Sequence, residues 1–190
     1  MEKKDIKVAY ERCPISVTAN DVVVFDTCVL MSMWRREVLE CVSRLCADKN
    51  IVITEESILE LEHLCNSANT MKRRDANAGL QFLHDHADAV VVHRKSFQGQ
   101  FADPAILALC DGLSAVGYDV SVLTFDIDLT RDLLSRGRLY CSNCSKPVKV
   151  YKIDTDGCPC RACLDDRCVR NETLSVKPGF LRGIISRIFA

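Results

Sequence analysis

Apolar runs alternate with helix-patterned segments along this chain, and that alternation leaves few folds open. DVVVF at 21–25, NIVIT at 50–54, AVVVH at 89–93 and Val120 to Phe125 are short, β-branched and largely apolar, which suits strands buried on both faces. Met33 to Ala47 repeats apolar residues at helical spacing, through Val38, Leu39, Val42, Leu45 and Cys46. Thr54 can cap a helix that has Ser57 and Glu60 in its first turns and turns Ile58, Leu61 and Leu64 inward. Lys72 to His86 predicts another helix, with Leu80, Phe82 and Leu83 on its apolar side. Asp103-Pro104 reads as an N-cap followed by the first helical residue. Asp128 to Arg136 predicts a short helix closed by Gly137. Strands and helices in strict turn imply a parallel sheet covered on both sides, and 190 residues suffice for one such core with a small appendage.

Four acidic residues sit at telling places in that pattern. Asp26 and Asp126 directly follow apolar strands, Glu60 lies early in one helix, and Asp103 opens another. The carboxyl ends of parallel strands border the usual ligand crevice of such a fold. Hard oxygen donors brought from distant elements suit Mg²⁺ or Mn²⁺. Each acid has a bland alternative: a strand end, an N-cap, a turn, or a solvated helix position like those expected for Glu56 and Glu62. Together they are better explained as one cluster, because carboxylates held close repel unless a cation neutralises them. Thr124 and Thr27 could orient water or phosphate, and Asp128 could hold a second ion through water.

The order and context of these residues resemble the PIN-domain family of metal-dependent nucleases. VVVFDTCVLM is similar to the family's first strand, ending in Asp followed by Thr or Ser. VITEESILELEHL is similar to its second strand and Glu-bearing helix, with a basic helical arm after it. ADPAILALC resembles the third motif, and LTFDIDL the fourth, Thr-x-Asp-x-Asp. The likeness spans about residues 20–140, and Thr54 stands where the family often has Pro. It implies a three-layer α/β/α fold, catalytic acids Asp26, Glu60, Asp103 and Asp126, Mg²⁺ or Mn²⁺ held with support from Asp128 and Thr124, and an RNA substrate cut to 5′-phosphate and 3′-hydroxyl ends. Phosphate contacts are expected from Lys72, Arg73 and Arg74, for which a plain solvated helix face is the competing reading.

Composition enters through charge and cysteine. A net charge of −1 gives no global pull on nucleic acid, so binding would rest on local basic patches. Of twelve cysteines, Cys28, Cys41, Cys46, Cys65 and Cys110 fall singly inside apolar or helical patterns and read as small hydrophobes; Cys13 is ambiguous. Six crowd into 141–168. Cys141-x-x-Cys144 and Cys160-x-x-Cys163 match the spacing of a four-cysteine zinc ribbon, each pair forming a knuckle and the hairpin between them closing the tetrahedron. Cys158 and Cys168 could substitute as ligands, and a redox pair within the cluster is an alternative. Such a zinc would be structural.

The expected organisation is therefore a PIN-like domain over 1–140, a small zinc-binding Cys-rich module over 141–170 inserted into or appended to the sheet edge, and an amphipathic C-terminal helix over 171–190. The expected function is metal-dependent RNA cleavage. A non-catalytic adaptor that recruits a protein through the zinc module, or a DNA nuclease, is the alternative. A homodimer or a protein partner would dock through the zinc module or through GFLRGIISRIFA. No membrane span and no signal-peptide pattern is evident, so a cytoplasmic protein is expected.

Overall fold

The computed structural model describes residues 8–15, 21–47, 50–94, 101–139 and 146–164. Cys141, Cys144, Cys168 and the 171–190 segment lie outside the described residues. Four of the expected strands form, as β2 (Asp21–Phe25), β3 (Ile51–Thr54), β4 (Val90–His93) and β5 (Asp119–Leu123). The segment VKVYKI supplies β6 (Lys149–Ile153), followed by β7 (Pro159–Leu164). An unexpected strand, β1 (Val8–Arg12), comes first in the chain. All seven make one sheet in the order β1-β7-β6-β5-β2-β3-β4. Neighbours from β6 to β4 are parallel, whereas β7 is antiparallel to both β6 and β1. Strands β6 and β7 thus continue the central sheet, and β1 closes its far edge.

Alternation along the strands splits the core in two. Val23, Phe25, Ile51, Ile53, Leu123, Tyr151 and Ile153 face one way. They pack under α1 (Thr27–Leu30), α2 (Arg36–Cys46), α3 (Glu55–Cys65) and α4 (Thr70–Asp85). Val22, Val24, Val52, Val120, Val122 and Val150 face the other way, under α5 (Ala102–Ala115) and α6 (Ile127–Leu139). The result is the expected three-layer α/β/α arrangement. A fully buried side chain such as Phe25 contributes about 1.5–3 kcal/mol of transfer free energy to that core.

Several local expectations are corrected. The segment after Leu30 turns before α2 begins at Arg36, so the helix expected from Met33 starts three residues later, with Leu39 on its exposed side. Asp103 is not an N-cap: α5 begins at Ala102, its N-cap position is Phe101, and no side chain caps it. Gly137 does not close α6, which runs on to Leu139. Glu56 is only 5% exposed rather than solvated. Thr54 does cap α3, accepting from Ser57 N at 3.2 Å.

Two glycines matter to the packing. A Cβ on Gly79 of α4 would lie 2.9 Å from the Leu30 carbonyl oxygen, so glycine lets α4 sit directly on the end of α1. Gly157, with φ of 79°, makes the turn between β6 and β7 and fits closely beneath the backbone of Glu37 in α2. Among the described residues no helix is long and apolar enough to cross a membrane.

Candidate metal-dependent active site

The chain runs outward from β2 to β3 and β4, then returns to place β5 on β2's other side. The switch in strand order therefore falls between β2 and β5, and the crevice at their carboxyl ends is where this class of sheet takes ligands. Asp26 follows β2 there, and Thr124 and Asp126 follow β5.

Asp26 is 3% exposed. Its backbone is tied down on both sides: its N–H donates to Leu123 O at 3.1 Å, and its carbonyl accepts from Val29 and Leu30 at the start of α1. The side chain does no capping. One oxygen, Oδ2, accepts from Thr124 Oγ1 at 2.6 Å and from Cys28 Sγ at 2.7 Å. Both donors converge on one oxygen, and the Thr27 backbone adds a further bond to the carboxylate. Burial pushes the Asp26 carboxyl up; bonds from Cys28, Thr124 and the Thr27 backbone oppose that, and the charge of Asp126 adds to it.

Thr124 relays position between the two strand ends. Its N–H donates to Tyr151 O of β6 at 2.9 Å, and its hydroxyl accepts from Asp126 N at 2.9 Å while donating to Asp26. Asp126 in turn caps α6, with Oδ1 accepting from Asp128 N at 2.6 Å and Leu129 N at 3.0 Å. Capping therefore occupies one oxygen of Asp126, and the other remains for a ligand. Glu60, on α3, accepts at Oε2 from Thr27 Oγ1 at 2.9 Å. Thr27 thus orients a carboxylate.

Asp103 joins these acids electrostatically. Its carboxyl is pushed up to about 6, first by burial and then by the charges of Asp26, Asp126, Glu60 and Asp132. Every charged neighbour that moves it is acidic. Because α5 starts at Ala102, two residues before the Pro104 that the sequence suggested, this carboxylate is not spent on a cap. Asp132 of α6 was not foreseen; it lies one helical turn beyond Asp128, and nothing in its local sequence marks it out. Asp128 itself turns to the surface, 83% exposed, and pairs with Arg131 at 2.9 Å. Cys28 is more than the small hydrophobe expected, since it donates to Asp26 and accepts from Phe125 N at 3.1 Å.

The four acids and their hydroxyl partners are a hard-oxygen donor set with one sign of charge, a chemistry that suits Mg²⁺ or Mn²⁺. Among the described residues, no three acidic, histidine or cysteine side chains are gathered closely enough to grip an ion as they stand.

Of the cysteine-rich region, Cys158, Cys160 and Cys163 fall among the described residues. Cys160 and Cys163 lie within one strand, paired opposite Arg12 and Ala9 of β1. Residues three apart on a strand project from opposite faces, so these two sulfurs do not converge as a knuckle would require. Cys160 is buried and points its thiol toward Asp154 Oδ2, and Cys163 is disulfide-bonded. Cys158 sits in the turn before β7, its N–H donating to Asp154 Oδ1 at 2.9 Å. Asp154 and Asp156 are engaged by Arg12 of β1, with Arg12 Nε to Asp154 at 2.7 Å and a second, shorter pair to Asp156. As β7 stands, Cys160 and Cys163 do not fit one shared zinc.

Lys72, Arg73 and Arg74 are exposed in the first turn and a half of α4. Compared with protein-family models and with curated proteins, the chain matches none.

Proposed function

We propose that this chain is a PIN-like, Mg²⁺- or Mn²⁺-dependent endoribonuclease whose ion is held by Asp26, Glu60, Asp103 and Asp126. The observation that carries the reading is the Asp103 carboxyl, raised to about 6 by burial and by four other acids at the strand-order switch. A protein that gathers like charges in this way sacrifices stability unless a cation joins them. The order of the motifs, from Asp26-Thr27 to Thr124-x-Asp126, supports the same reading.

Bound in this crevice, a divalent cation supplies a nucleophilic water near neutral pH and charge stabilisation for in-line displacement at phosphorus. The protein's own groups do the positioning. Thr124 and Cys28 fix Oδ2 of Asp26, which holds that carboxylate in one orientation. Thr27 does the same for Glu60. Capping of α6 by Asp126 sets that carboxylate's angle. The attacking water adds to phosphorus, the 3′-oxygen of the preceding nucleotide leaves and takes a proton, and the ends are 5′-phosphate and 3′-hydroxyl.

Incubating the purified chain with a single-stranded RNA and Mn²⁺, then mapping the ends, tests this. Cleavage that EDTA removes and Mn²⁺ or Mg²⁺ restores is expected. Asp26→Asn should lower it at least about 100-fold, comparable to loss of one preorganised electrostatic group in other hydrolases. Undiminished cleavage by Asp26→Asn would refute the assignment.

A further inference from the structure

We infer that Trp34 is a stacking platform for one unpaired base of a single-stranded RNA, placing the strand between the basic start of α4 and the acidic crevice. The inference rests on the nuclease reading above and names a residue and a substrate feature that reading does not contain. Trp34 is the chain's one tryptophan, and it is 54% exposed in the turn between α1 and α2. The neighbouring Met33 is buried and supplies that turn's anchor in the core, so Trp34 is not needed for packing. The Arg74 guanidinium lies over the indole ring, 5.0 Å from its centroid. A guanidinium on one face holds the ring in place and leaves surface for a second flat partner.

The surroundings fit a polyanion. Arg74 is shared with Asp75 at 2.8 Å, but Arg35, Lys72 and Arg73 make no salt bridge among the described residues. Arg35, next to Trp34, stands over the Phe125 ring at 5.9 Å, and Phe125 immediately precedes Asp126. The platform is thereby tied to the site through Arg35 and Phe125. It is tied a second way through the close seat of Gly79 on Leu30, which fixes α4, and with it Arg74, against the end of α1. Stacking is indifferent to base identity but requires a base free of its duplex, so the platform selects unpaired strands rather than a sequence.

The single indole makes the test direct. Full-length Asp26→Asn protein, which keeps the RNA intact, is titrated with an oligouridylate of about ten nucleotides and with an RNA duplex of the same length, and intrinsic fluorescence is read. Saturable quenching by the single strand and none by the duplex is expected. In the same background, Trp34→Ala should weaken binding of a labelled single strand about tenfold by anisotropy, with Trp34→Phe recovering most of it. With Asp26 restored, Trp34→Ala should raise KM more than it lowers kcat. No quenching, equal quenching by duplex, or unaltered binding by Trp34→Ala would overturn the platform and give this face to a protein contact instead. If Asp26→Asn abolishes cleavage while Trp34 changes do nothing, the nuclease reading stands and the platform falls. If the strand quenches and Trp34→Ala weakens it but no RNA is cut with Mn²⁺, the platform stands without the nuclease.

Discussion

Replacing Asp103 with Asn should make the metal-free protein more stable while taking away its response to metal. The carboxyl sits at about 6 in the folded protein against an ordinary 3.8, through burial and the charges of Asp26, Asp126, Glu60 and Asp132. At 1.36 kcal/mol per pH unit, that displacement corresponds to about 3 kcal/mol. Asp103 is solvent-exposed, and screening reduces the usable part to about 1 kcal/mol. The sign follows from linkage: an acid whose folded pKa is raised stabilises the fold below pH 3.8, and that contribution is lost as pH rises to 6. In EDTA at pH 7.5, Asp103→Asn should therefore melt about 2–4 °C above wild type, a shift of about 1 kcal/mol in a domain of this size. Wild type should gain stability between pH 7.5 and 4.5, and the variant should gain less, since only Asp26 remains to titrate upward. Saturating Mn²⁺ should reverse the order, because an ion at about 100 times its Kd adds about 2.7 kcal/mol to the protein that binds it. Differential scanning calorimetry at two pH values, with and without Mn²⁺, measures all of this. An Asn variant that melts at or below wild type in EDTA at pH 7.5 would show that these acids do not repel one another and would remove the main support for a shared ion.

Two further outcomes are expected. Gly79→Ala should cost about 1–3 kcal/mol despite alanine's better helix propensity, because the new Cβ meets the Leu30 carbonyl, which is backbone and cannot swing aside; an unchanged or higher melting temperature would contradict that packing. Cys160→Ser should leave the zinc content of the purified chain unchanged by elemental mass spectrometry, since Cys160 and Cys163 leave opposite faces of β7; loss of about one zinc per chain would restore the four-cysteine ribbon.

The parallel core was legible because its strands are continuous β-branched runs and its helices carry strong spacing, as at Val38, Val42 and Leu45. The Thr54 cap was legible for a chemical reason: a hydroxyl three residues before a free N–H has one obvious use. Asp103 was misread for the same reason. Asp before Pro looks like a cap, yet the helix already starts at Ala102, and the carboxylate is not spent on its end. Nothing local in Asp128 and Asp132 tells which faces the site; the answer depends on the rotation of α6, which is set by Leu129 and Leu133 in the core. Strand β1 went unseen because VAYER is charged and only partly buried, and its partner is far away in sequence. The reading of Cys160 and Cys163 as a knuckle used spacing alone, and spacing does not distinguish a tight turn from an extended strand.

The pairing of β1 with β7 has a consequence for how the chain is made. Arg12 meets Asp156, 144 residues further on, and Val8 pairs with Leu164 beyond it, so the joining of β1 to β7 closes the longest loop in the sheet. Loop-closure entropy makes such long-range pairing slow relative to local structure. During synthesis the first strand leaves the ribosome with no partner and stays an open edge until residues 159–164 emerge. β6, whose Tyr151 carbonyl holds the Thr124 backbone, emerges almost as late. The sheet can grow from β2 to β5 before then, but the bond that sets Thr124 between Asp26 and Asp126 is among the last to form, so maturation of the acidic crevice waits on the final third of the chain.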